Sequence, residues 1–98
     1  MAIKSFRDKI TADINYGRVS KRTQRVLLLE LHQKAQIKLA ILGAATSLND
    51  LLELRGNRLE ALKGNRSGQH SIRINDQYRI CFIWTGTDAM EVEIVDYH

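Results

Sequence analysis

The change of hydrophobic period partway along the chain constrains its fold more than any other feature. From about Arg22 to Leu42 the pattern is helical: Leu28, Leu31, Ala35, Leu39 and Leu42 recur at three- and four-residue spacing and share one face. Ile37, Ala40 and Ile41 widen the stripe, Glu30 and Lys34 form an i,i+4 pair in the favourable order, and Gly43 supplies a stop. Beyond Arg55-Gly56-Asn57 the period falls to two. Arg58 to Leu62 reads as a short strand, and Gly64-Asn65-Arg66-Ser67-Gly68 has turn composition. His70 to Ile74 alternates, Asn75-Asp76 marks a turn, and Tyr78 to Trp84 is rich in β-favouring residues. A second turn, Thr85 to Asp88, leads into a closing strand from Met90 to Asp96. Helical pattern first and consecutive hairpins after it predict an α+β fold: N-terminal helices packed on one face of an antiparallel β-sheet. Three smaller elements complete the reading. Ile3 to Phe6 suggests an opening strand, Asp8 to Tyr16 a helical turn or two ending at Gly17, and Ser47 with Asp50 caps a short helix through Leu54.

With 98 residues, the expectation is one small domain spanning 1–98. A single cysteine excludes an internal disulfide, and three scattered histidines beside it do not make a zinc site. No glycine-rich phosphate loop is present, so neither a metal nor a cofactor is expected. The longest apolar runs fall well short of the roughly 20 residues needed to span a bilayer, and no signal peptide is apparent. Cysteine usage fits a reducing compartment, and a cytoplasmic protein is expected.

The net charge of +4 is unevenly spread. Residues 1–42 hold nine Lys/Arg against three Asp/Glu, residues 43–80 six against four, and residues 81–98 none against four. A basic balance of this kind attracts phosphate-rich partners, although many ordinary proteins share it.

Several residues bear on chemistry. Lys63, at the edge of a glycine-containing turn, either neutralises a phosphate or is a solvated surface lysine. Alternation along 79–84 puts Ile80, Phe82 and Trp84 on one face and Arg79, Cys81 and Ile83 on the other. Arg79 then holds a phosphate bidentately from a rigid strand, pairs with a carboxylate such as Glu93, or is merely solvated. On the preceding strand Ser71 and Arg73 point one way, and His70, Ile72 and Ile74 the other, which favours a packed His70 over a catalytic one. Arg58 and Arg66 either track a nucleic-acid backbone or solvate a turn. The chain ends Asp96-Tyr97-His98 directly after the strand-like Val92-Glu93-Ile94-Val95. A strand would deliver the Tyr97 hydroxyl and the His98 imidazole to a fixed place, suited to acid–base work or base stacking. In isolation, a strand end finished by an amphipathic aromatic and a frayed histidine explains them better.

Taken together, these segments resemble HigB-type toxins of the RelE/ParE superfamily, the toxin halves of bacterial toxin–antitoxin pairs. The resemblance is carried by Ile3 to Phe6, Ala44-Ala45-Thr46 with Leu48 and Asp50-Leu51, Gly56 to Gly64, Gly68 to Ile80, and Val92 to His98. It spans nearly the whole chain and is looser from Thr11 to Leu39. It implies a compact microbial ribonuclease-like α+β domain that cleaves mRNA in the A site of the 70S ribosome. Carried over by motif, the family's active-site lysine falls on Lys63, its strand arginine on Arg79, and its terminal pair on Tyr97 and His98. Some relatives have a histidine where this chain has Glu60, so Glu60 and His98 both stand as candidates for the general base. Arg58, Arg66 and Arg73 are the expected RNA contacts. The resemblance further implies a helix-turn-helix antitoxin of the HigA type, with operator DNA reached only through the toxin–antitoxin complex. Two alternatives remain at this level: a ParE-like toxin that targets DNA gyrase without cleaving RNA, and a basic regulatory module that binds nucleic acid. The second lacks a clear helix-turn-helix of its own.

Overall fold

The computed structural model of the protein describes residues 2–96. Four helices, α1 (Lys9–Asn15), α2 (Lys21–Val26), α3 (Leu29–Ala44) and α4 (Leu48–Glu53), precede four strands. The strands β1 (Glu60–Ala61), β2 (His70–Arg73), β3 (Tyr78–Trp84) and β4 (Ala89–Asp96) form one antiparallel sheet in the order β1-β2-β3-β4. One apolar core joins the layers. Ile14, Leu27, Ala35, Leu39 and Leu42 of the helical half meet Ile72, Ile80, Phe82, Val92 and Ile94 of the sheet. Each Leu, Ile, Val or Phe among them contributes about 1.5–3 kcal/mol by leaving water. The α+β architecture is thus the one the change of period predicts.

The long helical stretch is two helices rather than one. Ser20 and Thr23 form a reciprocal capping box that starts α2. The chain then leaves helical geometry at Leu27, with φ −145° and ψ 125°, and restarts after Leu28. In an unbroken helix the Leu27 carbonyl would accept from Leu31. Here Leu31 N–H donates to Leu28 O, and buried His32 supplies the missing donor, with its Nε2 2.7 Å from Leu27 O. A carbonyl only accepts, so Nε2 is the donor in this bond. The break drops Leu27 into the core and leaves Leu28 56% exposed. Within α3 Ala35, Leu39 and Leu42 are buried as their spacing predicts, whereas Ile37 and Ala40, which fall off that face at about 3.6 residues per turn, point outward. Among the described residues Glu30 and Lys34 form no ion pair, and α3 ends one residue beyond Gly43.

Residues 3–6 do not form a ladder strand. They make two isolated parallel bridges, Ile3 to Ala89 and Phe6 to Val92. The reason lies in β4, where Glu91 has φ 54° and the register slips opposite Cys81 and Ile83. The N-terminal segment follows this bulge. Ser5 Oγ accepts from Glu91 N–H at 2.9 Å, a donor that the bulge takes out of the ladder.

The short helix α4 carries a compact electrostatic cap. Ser47 Oγ accepts from Asp50 N–H, and the Asp50 carboxylate accepts from both the backbone and the hydroxyl of Thr46, each at 2.8 Å. These hydrogen bonds, the Thr46 backbone first, hold Asp50 below the usual carboxylate range. A lowered folded-state pKa stabilises above the unfolded value and loses that contribution as pH falls through the folded value. Asp50→Ala is therefore expected to lower Tm at pH 7, with the gap to wild type narrowing below about pH 4. Thermal melts of both proteins from pH 7 to pH 3 check this; a gap independent of pH would refute the charge argument.

Candidate active site

The sheet face turned away from the helices gathers most of the candidate residues. Register fixes which side chains share it: Glu60 lies opposite Ser71, Ser71 opposite Cys81, and Cys81 opposite Glu93. The next row is Arg73, Arg79 and Val95. Alternation puts both rows on one face, as the sequence predicts for Ser71, Arg73, Arg79 and Cys81. His70, Ile72 and Phe82 go to the other face, where the His70 and Phe82 rings stack at 6.3 Å. His70 packs as expected, and its Nδ1 is buried without a partner among the described residues.

Arg79 is held from two sides. Its Nε donates to Ser71 Oγ at 2.7 Å, and its Nη2 donates to Arg58 O at 2.5 Å and more weakly to Ser71 O at 3.4 Å. It pairs with no carboxylate among the described residues. Glu93, the alternative partner, is occupied: it accepts from Arg66 Nη1 at 2.7 Å and lies 3.8 Å from Arg7 Nε.

Arg58 departs from the sequence reading. The strand begins at Glu60, and Arg58 adopts left-handed geometry, φ 44° and ψ 55°, as it closes the single-turn 3₁₀ helix Arg55–Asn57. That conformation disfavours residues with a Cβ, and here it turns the carbonyl toward Arg79. Asn57, fully buried, anchors the same turn by donating to Leu51 O while accepting from Lys38 Nζ.

Arg58, Glu60, Arg73 and Arg79 line one polar groove of about 230 Å³, together with Asn75 and Asp76. Asp76 pairs with Arg73 at 2.5 Å, and that guanidinium holds its carboxyl below the usual range. The groove therefore holds three guanidinium groups, one paired with Asp76 and one fixed by the backbone, beside the exposed carboxylate of Glu60. Such a set suits an anionic, hydrogen-bonding ligand. A larger apolar groove of about 420 Å³, lined by Ile3, Phe6, Tyr16, Leu39 and Gly43, lies elsewhere and brings no charged side chain.

Lys63 is exposed at the start of the 3₁₀ turn Gly64–Arg66, has no ion-pair partner among the described residues, and does not line the groove. Arg66 is committed to Glu93 and Gln69. Val92 to Val95 lie in β4 as expected, while Tyr97 and His98 lie outside the described residues. Sequence reasoning assigned no role to Ser71, although it is fully buried and grips Arg79. The signal was present: once Arg73 faces Arg79, Ser71 is its diagonal neighbour.

Cys81 forms the floor of this face and is fully buried. Burial pushes its thiol pKa up, opposed by Arg66 and Arg79 and reinforced by Glu93 and Glu60. Native protein is expected to leave Cys81 unmodified by a thiol reagent at neutral pH, with labelling appearing only as the sheet opens in denaturant. Mass spectrometry of alkylated protein tests this, and rapid stoichiometric labelling without denaturant would contradict it.

Residues 4–98 match the family described as RelE-like toxin of type II toxin–antitoxin system HigB. The chain belongs to the HigB-like toxins. Toxin HigB-1 of Vibrio cholerae serotype O1 is 53% identical over 53 residues, which cover 54% of this chain and 56% of that protein. The match thus spans about half the length of the curated relative. The α+β architecture of this HigB-like chain is consistent with RelE-like toxins. Among the described residues no helix is long and apolar enough to cross a membrane.

Proposed function

We propose that this HigB-like toxin is a ribosome-dependent mRNA endoribonuclease that inhibits translation by cutting the message in the A site. The observation that carries the reading is the groove in which Glu60 stands beside Arg58, Arg73 and a backbone-anchored Arg79. In the reaction the ribose 2′-hydroxyl attacks the adjacent phosphorus and the 5′-oxygen leaves. The products are a 2′,3′-cyclic phosphate and a free 5′-hydroxyl. The nucleophile belongs to the substrate, so no metal is required, and DNA, which lacks it, is not cut. Arg79 and Lys63 stabilise charge on the non-bridging oxygens. Glu60 or His98 takes the 2′-hydroxyl proton, and His98 or Tyr97 supplies one to the leaving oxygen. Arg58, Arg66 and Arg73 contact the RNA backbone.

The same reading takes residues 1–98 as one toxin domain acting in the cytoplasm. It is paired with a helix-turn-helix antitoxin of the HigA type, and operator DNA is contacted only through that pair.

The test is a reporter mRNA translated in a purified bacterial system with and without the protein, with new 5′ ends mapped by primer extension. Ends inside codons that require translating ribosomes support the reading. Intact message with normal translation overturns it, and gyrase-linked DNA breaks in cells with intact mRNA would instead support a ParE-like activity.

A further inference from the structure

In this fold part of the Arg79 guanidinium fork is already spent. Nε and the adjacent Nη2 proton are turned toward Ser71, and Nη2 also reaches Arg58 O. Nη1 has no protein partner among the described residues. The guanidinium can therefore offer a phosphate only the edge that carries Nη1. Two features fix that choice. Ser71 is fully buried in the middle of β2, between Glu60 and Cys81, so its hydroxyl has little room to move away. Arg58 holds a left-handed backbone, which brings its carbonyl to Nη2.

We infer that Ser71 is a positioning residue that acts through Arg79 Nε and determines which edge of the guanidinium meets the scissile phosphate. The inference rests on the ribonuclease reading above and adds a residue to it. A buried serine hydroxyl with no such duty would be replaceable by alanine at a cost in stability alone. One that orients a charge stabiliser also governs the rate, because a displacement of about 1 Å at a reacting group can cost about a hundredfold.

The experiment is a double-mutant cycle in the ribosome-dependent cleavage reaction, using wild type, Ser71→Ala, Ser71→Thr, Arg79→Lys and Ser71→Ala with Arg79→Lys. Lysine carries charge but no Nε–H to be held, so Ser71 has nothing left to orient. Ser71→Ala is expected to lower kcat about 10- to 100-fold with little change in KM, Ser71→Thr to restore most of it, and Ser71→Ala to cost nothing further beside Arg79→Lys. Wild-type kcat in Ser71→Ala, or an equal loss in both backgrounds, would overturn the inference. Should wild type cleave nothing, the ribonuclease reading fails on its own. The positioning claim is then decided by titrating inorganic phosphate while following the Arg79 Nε–H resonance. A phosphate-dependent shift present in wild type and lost in Ser71→Ala supports it; equal shifts in both overturn it.

Discussion

Arg79→Ala is expected to reduce message cleavage on translating ribosomes about a hundredfold or more, the usual loss when one preorganised charge stabiliser is removed. Three facts make this the most damaging single change at the site. The side chain rises from the second residue of β3, which is paired on both sides by β2 and β4, so its base is rigid. Its head is fixed by Ser71 and by the Arg58 carbonyl. No carboxylate among the described residues cancels its charge. Arg79→Lys should fall between wild type and alanine, since an ammonium keeps charge but cannot fork. Primer extension on a reporter message reads the rate, and thermal melts of each variant separate lost chemistry from lost folding. Arg79→Ala with undiminished cleavage would remove Arg79 from the mechanism.

The largest loss of stability is expected at Phe82. Its ring is fully buried, stacks with His70 and meets Trp84 edge-on at 6.5 Å and 78°. It lies among Leu39, Ile72, Ile80 and Val92, where the helices close over the sheet. Phe82→Ala should cost about 3–5 kcal/mol through lost transfer energy and the cavity left behind. That is a large share of the roughly 5–15 kcal/mol available to a typical domain, and it corresponds to a fall in Tm of roughly 15–30 °C. Phe82→Leu should cost distinctly less, because it refills most of the volume. Urea unfolding curves with unchanged slope check both. A loss under 1 kcal/mol for alanine would mean that the core collapses around the gap.

The order of elements was legible in the sequence because period is a strong signal. Tyr78 to Trp84, Ser47 with Asp50, and the turn at Thr85 to Asp88 all fall where local chemistry puts them. The helix break at Leu27 was not legible: Val26-Leu27-Leu28-Leu29 contains neither glycine nor proline. The break is held by His32, whose bond to Leu27 O is a tertiary choice rather than a propensity. Ile37 and Ala40 are exposed for a separate, local reason: at about 3.6 residues per turn they fall off the face shared by Ala35, Leu39 and Leu42. At the site, alternation correctly placed Arg73 and Arg79 on one face. It could not predict the left-handed Arg58, since arginine there is locally unfavourable and is held by long-range contacts. Glu93 illustrates the same limit. It faces Cys81 in register, yet it reaches Arg66, 27 residues away in sequence, rather than Arg79.

The bulged strand β4 has a consequence for the order in which the molecule can be made. Ala2, Lys4, Ser5 and Arg7 bond to Ala89, Glu91 and Val92, and Thr11 Oγ1 accepts from Ile94 N–H across 83 residues. Residues 2–11 thus have partners in residues 89–94, which are synthesised later. At about 5–20 residues per second, several seconds separate the two. During that interval Ile14, Leu27, Leu39 and Leu42 have only part of their covering sheet. Contacts of such long sequence separation also form late for entropic reasons. Until β4 pairs with β3 the nascent toxin remains an unfinished shape, and the Arg79 face is incomplete.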